Sequence, residues 1–334
     1  MRAPLAKNIR DKKLLTLLAM VLLALLLFAL ARGPVALHWW NALQQPSASI
    51  DGVILWQVRL PRVVLAILVG ASLGIGGAAL QGLLRNPLAG PDLLGVSSCA
   101  ALGAVLTLYT GVAALTWIAL PLGGIAGALL AVFLIFFLAG RHAAVLTLIL
   151  AGIAVNAVMS SFIALVLNFA PNPFALSEMM YWLLGSLANR SLNDIAIAMP
   201  FMLAGWLLLL SCGRFLDALS LGEETAQTLG FNAAALRWRI VIGVALCVGA
   251  AVAVSGNIGF VGLVVPHLLR PWVGYEPRRL LVPSALGGAI LLLLSDIVVQ
   301  SLSIGGNLKL GVVTALLGGP FFLHLIFKQR GALQ

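Results

Sequence analysis

LLGVSSCAALGAVLTLYTGVAALTWIALPLGGIAGALLAVFLIFFLAG, residues Leu93 to Gly140, contains no charged side chain in 48 positions. About 20 apolar residues in a helix cross the ~30 Å hydrocarbon core of a bilayer. The stretch is therefore too long for one crossing, and we divide it near Tyr109 to Thr116 into two spans. The rest of the chain has the same character. Of 334 residues, 62% are hydrophobic and 9% charged, and the mean hydropathy is +1.10. A soluble domain of this size has no use for so much apolar surface. The sequence predicts an all-α polytopic membrane protein, a single transmembrane domain over residues 1–334.

Outward from this stretch, further spans follow. A basic start with Arg2, Lys7, Arg10, Lys12 and Lys13 precedes Leu14 to Ala31, 18 uncharged residues. That run is longer than a usual signal core and no clean cleavage site follows, so it is expected to be a retained first span. Arg32 to Arg62 is expected as an outside loop, with Trp39 and Trp40 as interfacial anchors. Val63 to Leu84 is span two, the long stretch supplies spans three and four, and Ala143 to Ala170 is span five. Phe174 to Asp194 lies outside and carries a half-polar surface helix around Ser177–Trp182. Ile195 to Gly213 is span six. Ile240 to Leu269 divides at Ser255–Asn257 into spans seven and eight. Leu280 to Val299 and Leu310 to Phe327 close the count at ten.

Ten spans put both termini on one side. Fifteen Lys and Arg residues fall on that side and five on the other, so both termini are expected in the cytoplasm. The net charge of +10 reads as membrane topology, with no nucleic acid among the partners. Cys99, Cys212 and Cys247 read as packing residues.

Span two ends at Asn86-Pro87 and span seven at Gly256-Asn257, each followed by Gly-rich irregular sequence. One break is inside and the other outside. An inverted repeat of spans two to five and seven to ten would produce this, with a transport path at the repeat interface. Asn156, Ser160, Ser161 and Asn168 of span five are neutral pathway candidates. Asp296 is the main ionisable residue within a span, so an ion-coupled secondary transporter, the alternative reading, would have to use it. No catalytic cluster supports a membrane enzyme. No G-x-x-x-x-G-K-[ST] motif occurs, so ATP hydrolysis must come from a partner. Ser220 to Phe231, within the polar segment 214–239, is the expected attachment point. Its acids come first, Ala226 and Leu229 are spaced as one helix face, and Gly230 stands where a helix would stop.

Motifs along nearly the whole length carry a resemblance: WQVRLPR at Trp56–Arg62, RNPLAGPDLLG at Arg85–Gly95, LAG at Leu150–Gly152, YWLLGS at Tyr181–Ser186, LSLGE at Leu219–Glu223, GFVGLVVPHLLR at Gly259–Arg270 and GVVTA at Gly311–Ala315. In this order over ten spans, the chain resembles the FecCD-like permeases of type II ABC importers for iron chelates, haem and cobalamin, and among them most the haem permeases. The resemblance implies a homodimer in the bacterial inner membrane, two cytoplasmic ATP-binding subunits and a periplasmic substrate-binding protein. It implies no permanently bound cofactor: haem is the transported substrate, with ferric siderophore or cobalamin as alternatives.

By the same resemblance Leu221, Gly222, Glu223, Glu224, Ala226, Leu229 and Gly230 couple to the ATPase, and Arg59 and Arg62 receive carboxylates of the binding protein. A third docking arginine of the cobalamin permease aligns with Gln300 here. The inner constriction falls at Asn86 and at Leu146 and Thr147, with Asn156 and Ser160 beyond. Imidazole binds iron, so His267 is a metal-ligand candidate. The same Pro-His pair stands in cobalamin permeases, and a structural role is the reading taken. Met179, Met180 and Tyr181 near the entrance are further potential ligands, for which packing is the reading taken.

Overall fold

A computed structural model describes residues 3–331, apart from 34, 45, 47–48, 142–143 and 303–307. Every regular element among them is helical: α1 (Ala3–Ala31), α2 (Leu60–Leu83), α3 (Val96–Tyr109), α4 (Ala119–Ala139), α5 (Val145–Asn168), α6 (Pro173–Leu183), α7 (Leu192–Ser211), α8 (Gly213–Ser220), α9 (Glu223–Thr228), α10 (Ala233–Ser255), α11 (Val261–Leu269), α12 (Pro277–Leu302) and α13 (Leu310–Gly331). Seven helices are long and apolar enough to cross a membrane, and three shorter apolar ones, within α3, α11 and α13, complete the expected ten.

One boundary differs. The expected outer loop through Arg62 is helical from Ile50 onward: Ile50–Val53 runs through a π-helical stretch, Ile54–Arg59, straight into α2. Arg59 and Arg62 therefore sit on a helix wall. Charges at the head of an apolar run had read as a loop because hydropathy alone cannot place a charge whose partner lies in another span.

The repeat is visible as matched packing. α2 packs on α12 and its counterpart α10 on α4; α2 packs on α11 and α10 on α3. The α3–α4 pair corresponds to α11–α12, α3–α5 to α11–α13, and α4–α5 to α12–α13. α2 and α10 form the centre and touch each other. Small residues let these backbones meet, since in lipid close van der Waals approach takes the place of a hydrophobic driving force. A Cβ at Gly77 of α2 would lie 1.7 Å from the Gly262 carbonyl oxygen of α11. At Gly256, which ends α10 at φ +73, a Cβ would lie 2.2 Å from the Trp182 oxygen. Only glycine fits either position.

Candidate functional site

Three regions carry the predicted site residues. The first is the polar knob around Ser220–Phe231, expected on the cytoplasmic side. α8 turns Phe215, Leu216 and Leu219 inward. Leu221 and Gly222 (φ +116) turn the chain into α9. α9 ends in a Schellman motif: the Phe231 amide donates to Ala226 O at 3.2 Å and the Gly230 amide to Gln227 O at 2.9 Å, with Gly230 at φ +87. The Phe231 and Phe215 rings lie 6.0 Å apart and tie the end of α9 to α8. Glu223 is held by Arg237 at 2.9 Å. The Asn232 side chain caps α10, accepting from the Ala235 amide at 3.1 Å. A helix of two turns, too short to be stable alone, is thus fixed at both ends.

What this knob presents differs from the expectation in one respect. Ala226 is fully buried in its own chain. Leu221 (69% exposed) and Leu229 (59%) are the apolar side chains that face out, with Glu224, Gln227 and Gly230 exposed between or beside them. Beside them opens a cleft of about 410 Å³ lined by Glu223, Gln227, Phe231, Asn232 and Arg237. Sequence spacing put Ala226 and Leu229 on one face. The turn at Gly222 tilts α9 so that Ala226 packs down and the flanking leucines stand up.

The second region is the outer mouth. Arg59 is buried: its guanidinium donates to the carbonyls of Leu30 (2.8 Å) and Ala31 (3.1 Å) at the end of α1 and to Val35 O. It caps α1, a cation placed on the negative end of a helix. Gly33 leaves the room, since a Cβ there would lie 2.5 Å from the guanidinium. Arg62 grips Asp296 of α12 in a bidentate pair, Nη2 at 2.8 Å from Oδ1 and Nε at 2.8 Å from Oδ2. Gln300 donates to the same carboxylate at 2.8 Å. Asp296 is 1% exposed and the Arg62 side chain 20%. The two arginines assigned to docking are thus engaged within the chain, and Asp296, the acid an ion-coupled carrier would need, is already bound. A cavity of about 460 Å³ opens over Arg62, Gln300 and Lys309. Lys309 lies 5.0 Å from the Tyr181 ring centre. Arg190, beyond α6, is held below the ordinary arginine pKa by burial, partly offset by Asp194.

The third region is α5 and the loop before α3. Leu146, Thr147 and Ser160 are exposed and Asn156 is half-buried. No charged residue occurs in α5. Asn86 is exposed, and its side chain accepts from the Leu88 amide at 2.9 Å, closing a local turn. The loop reaches α5 further on, where a Cβ at Gly152 would lie 2.2 Å from Leu93 O. His267 lies edge-on to Phe321 with ring centres 6.0 Å apart. Met179 is buried.

The comparisons with known proteins bear on this arrangement. The FecCD transport family model matches residues 18–328. The chain belongs to the FecCD transport family. It is 42% identical over 282 residues to an uncharacterized ABC transporter permease protein of Bacillus subtilis, covering 83% of this chain and 79% of that one. It is 41% identical to the hemin transport system permease protein of Yersinia pestis (82% and 83% covered). It is 39% identical to the vitamin B12 import system permease protein of Vibrio cholerae (85% of each). A solved inward-facing metal-chelate-type ABC transporter superposes with a TM-score of 0.85 at 33% identity, over 95% of this chain and 99% of that one. The chain is an ABC importer permease of the FecCD family.

For this permease, sequence reasoning named Arg62, Asp296 and Gln300 separately and missed that they form one cluster. A signal was present: an arginine and an aspartate, each in an apolar run, are costly alone and much less so together.

Proposed function

We propose that this FecCD permease imports haem from the periplasm to the cytoplasm as a homodimer in the bacterial inner membrane, served by two cytoplasmic ATP-binding subunits and a periplasmic substrate-binding protein. The carrying observation is the charge-free face of α5, Leu146 to Ser160, left uncovered in the single chain. A path so lined suits a bulky, largely apolar macrocycle that must be released rather than held. Similarity to the hemin permease of Yersinia pestis supports haem as the cargo. The exposed Leu221 and Leu229 support docking of the ATP-binding subunit on the α8–α9 knob, and the excess of cytoplasmic Lys and Arg supports the orientation. Lys309, at the outer cavity, is the cation that supports docking of an acidic binding protein; Arg62 neutralises Asp296 beside it, and Arg59 orders the mouth from behind.

Uptake into proteoliposomes carrying the permease, its ATP-binding subunit and its binding protein, with ATP on the cytoplasmic side, tests the cargo. Haem is expected to accumulate. Accumulation of a ferric siderophore or cobalamin with none of haem would overturn the cargo and leave the family standing. The docking surface has its own test. Leu221→Asp/Leu229→Asp should abolish co-purification of the ATP-binding subunit while leaving the melting temperature of the isolated permease unchanged. Ala226→Asp should lower that melting temperature itself, because burying an unpaired charge costs several kcal/mol, roughly.

A further inference from the structure

A second polar pocket, of about 190 Å³, lies on the cytoplasmic side where α2 ends, α8 ends and α12 begins. That volume far exceeds the ~10–15 Å³ that admits a single water. Gln81, Arg85, Ser220, Arg270 and Tyr275 supply its polar lining, and no acidic side chain lines it. The nearby carboxylates are engaged elsewhere: Asp217 accepts from the Arg278 amide at 2.9 Å, Asp11 pairs with Arg279 at 2.7 Å, and Glu276 pairs with Arg279 as well.

The arginines are prepared for an anion. Arg270 donates Nη2 to the buried Gln81 side chain at 2.6 Å, and Gln81 is itself anchored to Leu263 O at 3.1 Å. That leaves Nε of Arg270 buried with no partner among the described residues. A buried unpaired donor on a cation is costly unless something fills it. Arg85 is exposed. Among the described residues four non-glycines adopt positive φ, and two of them, Arg85 (+47°) and Tyr275 (+62°), line this one pocket. Such conformations cost energy and gather where a ligand is held. Trp272 (58% exposed) and Tyr275 (68%) flank Arg270 on the same turn, the aromatic signature of headgroup depth.

We propose that this pocket binds a phosphate group, carried by an acidic phospholipid headgroup or free in the cytoplasm, with Arg85 and Arg270 as its cationic ligands. Guanidinium forks match phosphate oxygens in pairs. The site bridges the end of α2, just before the Asn86 loop, to Ser220 at the base of the coupling knob, so its occupancy would brace the junction between the two. This holds whichever chelate is carried.

The test uses the full-length permease in nanodiscs. Discs of phosphatidylcholine alone are compared with discs containing phosphatidylglycerol, and with phosphatidylcholine discs given inorganic phosphate. Thermal stability and bound lipid by native mass spectrometry are read out. Phosphatidylglycerol should raise the melting temperature and remain bound if the source is lipid; inorganic phosphate should do so if it is free. Arg85→Gln/Arg270→Gln should weaken either effect about tenfold or more in half-saturating concentration, the scale of a lost charge-assisted hydrogen bond. Arg85→Gln alone, on an exposed side chain, should give part of that loss with the fold intact. Arg279→Gln, outside the pocket, should not. Equal behaviour in all three discs, or unchanged binding in the double variant, overturns the proposal. So does a double variant that keeps anion binding and loses the ATP-binding subunit, which would make the pocket a receptor for a protein carboxylate.

Discussion

α2 and α5 are near twins by hydropathy and opposites in the fold. An 18-residue stretch of the span through α2 has a mean hydropathy of 2.3 and one of α5 2.2, yet 83% of the first stretch is buried against 22% of the second. Hydropathy reports only that both avoid water. In lipid, what separates inside from outside is how closely backbones can approach, and that is a matter of side-chain size. α2 carries Gly70, Gly74, Gly76, Gly77 and Gly82 among alanines; α5 carries Gly152 alone. The glycine-rich helix becomes the hub on which α10, α11 and α12 pack. The one with a single glycine keeps a free face for lipid, partner or cargo.

This contrast can be broken most forcefully at Gly77. Gly77→Leu should prevent α2 and α11 from meeting and abolish the monodisperse folded permease in detergent, seen as loss of the size-exclusion peak. A normal peak would mean that α2 is not the hub. Second in size is the ion pair at the outer end of α2. Arg62→Met leaves Asp296 buried without its cation and should destabilise by about 3–5 kcal/mol, whereas Arg62→Met/Asp296→Leu should recover most of that. Thermal unfolding of both variants checks this. A double variant as unstable as the single would assign Arg62 a role beyond neutralising Asp296. The smallest effect belongs to α5. Leu150→Ala, on the 59% exposed Leu150, should change the stability of the isolated chain by no more than about 0.5 kcal/mol. A larger change in the assembled transporter than in the isolated chain would show that the free face is covered there.

Much of the molecule was legible because its signals are local. Ten apolar elements, the breaks after Leu84 and Ser255, the surface helix before Leu184 and the Gly230-ended knob all follow from run length, Gly and Pro placement and capping chemistry. The helix before Leu60 was not, because Arg59 and Arg62 read as polar until their partners are seen. Arg59 meets carbonyls some 28 and 29 residues earlier and Arg62 a carboxylate 234 residues later. The burial of Ala226 was hidden for a related reason: spacing gives the face of a helix but not which way that face turns.

By itself, the sequence determined that this chain is built of apolar helices of bilayer-spanning kind, where they break and where its polar, Gly230-ended knob stands. These depend on transfer from water and on propensities acting within a few turns. Only the tertiary structure decided that α2 is a hub and α5 a free face, that the outer arginines are engaged, and that Arg85 and Arg270 share a pocket. Each of these is a distance between atoms far apart in the chain, set by which small residues allow two backbones to touch.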